Sequence, residues 1–125
     1  MSLTAKEEVM SGKHDVYVLE VDGELRVRPA VAIVDGGAGV KLRIRNLTQY
    51  PAFLGFPSGP LAPGQPQTQL VEPKNTIGPG GKLDRVQLPI DPSSDGDYNY
   101  HVFVIKDGTV VSALGDSGPK IIVDP

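Results

Sequence analysis

The chain has 125 residues, no cysteine and a net charge of −3. These values exclude disulfides, thiolate metal sites and a cysteine nucleophile, and they set one domain as the expectation. At this size roughly two-thirds of the unfolded surface is buried on folding, enough for a core without staples. Fifteen glycines and twelve prolines suit many turns between short strands and argue against long helices.

In chain order, residues 1–14 read as an extended or flexible N-terminal segment, with a helical turn over Glu7 to Ser11. Lys6, Glu7 and Glu8 stand where a secretory signal would be apolar, so a cytoplasmic chain is favoured, or a periplasmic or secreted one if a leader was removed. Strands are expected at Val16 to Val21 and Leu25 to Val34, joined by Asp22-Gly23 as a hairpin turn. Val40 to Arg45 alternates apolar and basic residues without error and reads as a half-buried strand. Gly55 to Pro66 contains seven Gly or Pro in twelve residues and must be a loop. Glu72 to Asn75 reads as a second helical turn. Val86, Leu88 and Ile90 mark a strand in which Pro89, lacking an N–H, argues for a sheet edge or a strand end. Tyr98 to Ile105, Thr109 to Ala113 and Lys120 to Val123 complete the set, with Asp107-Gly108 as a further hairpin turn. Seven or more short strands predict an all-β antiparallel sandwich or barrel in one domain over residues 1–125.

No run of 18 apolar residues exists, so no membrane span is expected. Residues 1–62 carry seven basic and seven acidic side chains, and residues 63–125 five and eight, so neither half is basic and nucleic acid is not an expected partner. Lys41, Arg43 and Arg45 form the densest basic run and read as one solvated strand face. Asn46-Leu47-Thr48 has the glycosylation pattern, which acts only in a secretory setting.

Three segments, taken in order, resemble the cupredoxin family of small Greek-key sandwiches. They are Ile44-Arg45-Asn46-Leu47-Thr48-Gln49-Tyr50-Pro51-Ala52-Phe53, the turn Ile77-Gly78-Pro79-Gly80-Gly81, and the strand Gly96-Asp97-Tyr98-Asn99-Tyr100-His101-Val102. The likeness spans about residues 25–124 and implies a cupredoxin-like Greek-key fold. It also implies a copper site with a His just after the Pro of the first segment, a Cys two positions past the second aromatic of the third, then a downstream His and often a Met as weak axial ligand. Those positions read Ala52 and Val102, and Phe103 to Ala113 offers neither a His nor a Met. Blue-copper chemistry needs the thiolate, and the chain has none. The expectation is therefore a metal-free module with no cofactor and no catalytic residues.

Other candidates are weaker. His14 and His101 are the only imidazoles and lie far apart in sequence; with loop carboxylates they would make a non-blue-copper metal or redox site, which is the alternative reading. Asp91, Asp95 and Asp97 crowd one loop, where calcium competes with simple turn formation. Gly115-Asp116-Ser117-Gly118 matches a protease nucleophile motif, but that chemistry needs a base His, its carboxylate and a two-barrel frame, and the chain is about half the necessary length, so the tetrapeptide reads as a turn into the last strand.

Alternation places Asn99, His101, Phe103 and Ile105 on one strand face and Tyr98, Tyr100, Val102 and Val104 on the other, so both faces are apolar in the second half. Something should cover the second face. Tyr50, Phe53, Leu54, Phe56, Leu61, His101, Phe103 and Ile105 are the expected interaction surface, for a protein or small-molecule partner or a second copy in a homo-oligomer.

Overall fold

A computed structural model describes residues 13–35, 39–113 and 119–124, with the backbone alone at 13 and 14. These residues form thirteen strands and no helix: β1 (Lys13–Val21), β2 (Glu24–Arg28), β3 (Val31–Asp35), β4 (Lys41–Asn46), β5 (Ala52–Gly55), β6 (Thr68–Val71), β7 (Ile77–Gly78), β8 (Gly81–Lys82), β9 (Arg85–Pro89), β10 (Gly96–Asn99), β11 (His101–Lys106), β12 (Thr109–Ser112) and β13 (Lys120–Asp124). β1 begins inside the segment expected to be extended or flexible, and the turn expected at Glu7 to Ser11 lies outside the described residues. At Glu72 to Asn75 there is no helix, only a tight turn in which the Thr76 N–H donates to the Pro73 carbonyl at 3.2 Å.

The front sheet has the order β2-β1-β4-β9. Behind it lie β10-β13-β3 and β12-β11-β5-β6. β10 and β11 follow one another with only Tyr100 between, so these two sheets form one back layer along a shared line. No sheet is closed. The all-β, sandwich-like expectation holds, but the sheets are mixed instead of antiparallel throughout: β1 pairs with β4 in parallel, and β13 with β3. In each pair the two strands come from distant parts of the chain, so no tight hairpin dictates their direction.

Local chemistry accounts for most boundaries. Asp22-Gly23 and Asp107-Gly108 both have positive φ at the two residues (53° and 79°; 54° and 79°), the conformation of a type I′ turn, and each closes a hairpin. The expected single strand Leu25 to Val34 is two strands. Pro29 cannot donate to a ladder, so β2 ends before it in the front sheet and β3 starts after it in the back layer. β9 with Pro89 is a sheet edge, as its missing donor requires. No named strand crosses the Pro-rich segment, although Leu61 bridges to Ile90.

Alternation fills the single core. Val16, Val18, Leu25, Val27, Leu42, Ile44 and Leu88 come from the front sheet, and Ala52, Leu54, Val71, Val102, Val104, Ile121 and Val123 from the back layer. Three polar side chains, Asn46, Thr48 and Asp84, are buried with them. Asn46 is fully buried. Its Nδ2 donates to the carbonyls of Tyr50 (2.7 Å) and Val71 (3.1 Å), and its Oδ1 accepts from the Thr48 N–H (2.9 Å) and hydroxyl (2.7 Å). Its own N–H donates to the Asp84 carbonyl at 2.8 Å. A side-chain nitrogen so enclosed is inaccessible to a glycosyl donor in the folded chain, so the Asn46-Leu47-Thr48 tripeptide acts as a structural corner.

Asn46→Ala would leave the Tyr50 carbonyl its bond from the Thr48 hydroxyl (3.1 Å) but would take the side-chain partner from the Val71 carbonyl and the Thr48 N–H, at about 1–3 kcal/mol each. Urea denaturation should show a loss of about 3 kcal/mol or more; a loss under about 1 kcal/mol would mean that water replaces the amide.

Candidate docking face

The expected interaction residues divide according to which side of the back layer they face. β11 pairs with β5 so that Val102 opposes Leu54, Phe103 opposes Phe53 and Val104 opposes Ala52. Ala52, Leu54, Val102 and Val104 point inward and are buried. Phe53, His101, Phe103 and Ile105 therefore point outward together. The Phe53 and Phe103 rings stack with centroids 5.2 Å apart and planes 15° from parallel, a favoured aromatic geometry.

Two further residues extend this face. Leu70 on β6 opposes Phe53, and Val110 on β12 opposes Ile105. One row across four strands reads Ser112, Phe103, Phe53, Leu70. Exposure is 41% at Ile105, 49% at Leu70 and 61% at Val110, so the face is apolar and open. Farther along the same layer Ile33 (59% exposed) and Val31 lie outward on β3. Leu70 and Val110 were not expected in the surface. Thr68 to Val71 is short and flanked by prolines, which hid β6; the signal for Val110 was the Phe103-Ile105 pattern itself, since a hairpin partner of that strand must share its face.

The remaining expected surface residues lie elsewhere. Leu54 and Phe56 are buried, 0% and 1% exposed, so they belong to the core and not to a surface. Leu61 is half-buried against the core. Tyr50 sits at another corner, with the Lys106 Nζ 5.6 Å above its ring and Lys106 also bonded to Glu20 at 3.2 Å. Phe56 stacks on Tyr100, centroids 5.2 Å apart. Where the copper-ligand positions would fall, Ala52 and Val102 are inward-facing core residues, 0% and 3% exposed.

The other candidates are not drawn together. Among the described residues no group of three His, Cys, Asp or Glu side chains is close enough to hold a metal ion. His101 is exposed beside Gly55, while the His14 side chain lies outside the described residues. Asp91 closes its own turn: its Oδ1 accepts from the Ser93 N–H (3.0 Å) and hydroxyl (2.8 Å), which holds its carboxyl below the usual range. The Asp95 carbonyl accepts from the Tyr98 hydroxyl at 2.9 Å, and Asp97 lies 3.9 Å from the Lys120 ammonium. Ser117 and its motif lie outside the described residues. A recess of about 230 Å³ lined by Asn99, His101, Phe103, Ser112, Ala113 and Pro119 adjoins the apolar face. No helix among the described residues is long and apolar enough to cross a membrane. No protein-family model matches the chain, and no curated protein matches it in sequence.

Tyr100 lies at the step between β10 and β11 with its hydroxyl buried and without a hydrogen-bond partner. Burial pushes its ionisation well above the ordinary tyrosine range. Tyr100→Phe should therefore raise stability by about 1 kcal/mol, as removing an unsatisfied buried group does. Because the folded state holds this proton more tightly than the unfolded state, stability is lost as pH rises above about 10. Chemical denaturation across that range should show the alkaline loss reduced in the variant. A variant less stable than the parent at neutral pH would reveal a partner for the hydroxyl.

Proposed function

We propose that this chain is a metal-free, cupredoxin-like Greek-key module that acts by binding a partner and not by catalysis, with the outward side of β12-β11-β5-β6 as its docking face. The observation that carries the proposal is the open row of Phe103, Phe53 and Leu70 flanked by Ile105 and Val110. A solvated side of a sandwich strand is ordinarily polar, and contiguous exposed apolar surface marks interaction sites. The resemblance is supported by where its segments fall: the first runs from β4 to β5 around the Asn46 corner, the second is the β7-β8 turn before β9, and the third is β10 into β11. The metal-free part rests on apolar core residues at both positions where ligands would stand.

Self-association through this face is the simplest use of it, because two copies of one apolar row can bury each other across a two-fold axis. Sedimentation of the parent at rising concentration should show dimer, and Ile105→Lys with Val110→Lys should leave monomer with the melting temperature preserved. A parent that stays monomeric throughout would remove self-association and leave a different partner. Metal-stripped protein titrated with copper, zinc or calcium should show no saturable thermal shift. A stoichiometric shift abolished by His101→Ala would overturn the metal-free reading in favour of a histidine and carboxylate site.

A further inference from the structure

The chain has five arginines, Arg26, Arg28, Arg43, Arg45 and Arg85. All five are on strands of the front sheet, and their alternate neighbours Leu25, Val27, Leu42, Ile44 and Leu88 are buried. The arginines therefore share the outward side, on the opposite side of the molecule from the apolar row. Register aligns them further. Arg28 opposes Tyr17, Tyr17 opposes Arg45, and Arg45 opposes Arg85, so one row crosses all four strands. At roughly 4.8 Å per strand the row spans about 14 Å.

Part of this charge is neutralised within the chain. Arg43 makes a bidentate pair with Asp15 at 2.6 and 3.2 Å, and Arg26 pairs with Glu24 at 2.6 Å. Arg85 pairs with buried Asp84 at 3.1 Å. The Asn75 N–H, 3.0 Å away, and then Arg85 and Arg45, hold the Asp84 carboxyl below its usual range. Arg28, Arg45 and Lys41 have no ion pair or hydrogen bond among the described residues. The Arg45 Nε is buried and unpartnered. These groups flank Tyr17 and extend along β4, while every cation outside this side is a lysine.

We propose that the outward side of the front sheet docks an acidic protein segment, with Arg28, Arg45 and Lys41 taking its carboxylates. Guanidinium groups in a rigid sheet present fixed donor forks that match carboxylates, and their charge complements an acidic partner while the chain as a whole is negative. Single-stranded nucleic acid fits less well. Asp15 and Glu24 interrupt the run of cations, and Tyr17 is the sole aromatic of the sheet available for stacking, whereas strand-tracking grooves combine continuous cations with several aromatics.

The proposal is independent of the apolar docking face and is tested separately. Fluorescence anisotropy of labelled poly-L-glutamate with the whole chain should show saturable binding that weakens as salt rises, since exposed charges are screened beyond about 10 Å at 0.1 M. Arg28→Glu combined with Arg45→Gln should weaken it at least about tenfold. Lys120→Glu, outward on β13 of the back layer, should leave it unchanged. If the first double variant melts early, Lys41→Glu, at an exposed position, should weaken binding with the fold intact. Absence of binding at low salt, or binding indifferent to Arg28, Arg45 and Lys41, would overturn the proposal. Tighter binding of a single-stranded oligonucleotide or a heparin fragment than of polyglutamate would replace the acidic segment by a phosphate or sulfate polymer.

Discussion

A buried asparagine ties the two layers together, and the packing around it depends on that residue being satisfied. Asn46 ends β4 in the front sheet, yet its amide holds the carbonyl of Tyr50 just ahead of β5 and that of Val71 at the end of β6, both in the back layer. An apolar residue could fill the same volume but would take the side-chain donor from the buried Val71 carbonyl and the acceptor from the Thr48 N–H, and unpaired buried groups are rare in native interiors. The bonds are directional, so they also set where the chain turns. Thr48, folded back onto Asn46, fixes the approach to Pro51 and thereby the side of β5 that faces the core. Ala52 and Leu54 go in; Phe53 goes out.

The outward apolar row follows from that choice. With Phe53 facing solvent, antiparallel pairing brings Phe103 and Leu70 beside it, and the hairpin from β11 to β12 adds Val110 beside Ile105. The front sheet obeys the same alternation with the opposite chemistry, since its outward positions carry arginines whose stems cover the sheet while their heads reach water or carboxylates. The molecule thus has one greasy side and one cationic side separated by the thickness of a common core. Two such sides can be occupied at once without competing for surface.

Much of this arrangement was legible in the residues. Val40 to Arg45 shows its inward and outward sets directly, because each alternate position differs in polarity. The Asp-Gly turns announce two hairpins, and the apolar character of both sides of Tyr98 to Ile105 pointed to an exposed face. The Phe53-Leu54-Gly55-Phe56 stretch was not readable in this way. It has bulky apolar residues at both parities, so only pairing with β11 decides that Leu54 and Phe56 are core while Phe53 is surface. β6 was hidden because its one deeply buried side chain, Val71, follows an outward-facing Leu70, which reverses the usual cue. The parallel pairs were invisible for another reason: each joins segments separated by long stretches of chain, and local periodicity contains no information about a neighbour's direction.

The position of β13 has a consequence for how the chain acquires its structure. This strand, the last in the chain to be described, is not at an edge; it lies between β10 and β3 and hydrogen-bonds to both. During synthesis, β3 and β10 emerge with unpaired backbone on facing sides, and Ala32 and Val34 have no cover from Ile121 and Val123. Only when Lys120–Asp124 leaves the ribosome can the gap close, by strand insertion instead of edge addition. Until then β3 and β10 have no ladder partner among the described strands, and unpaired backbone beside apolar side chains is what other strands join. Lys120–Asp124 therefore supplies at once the ladder partner of two strands and the inward side chains between them.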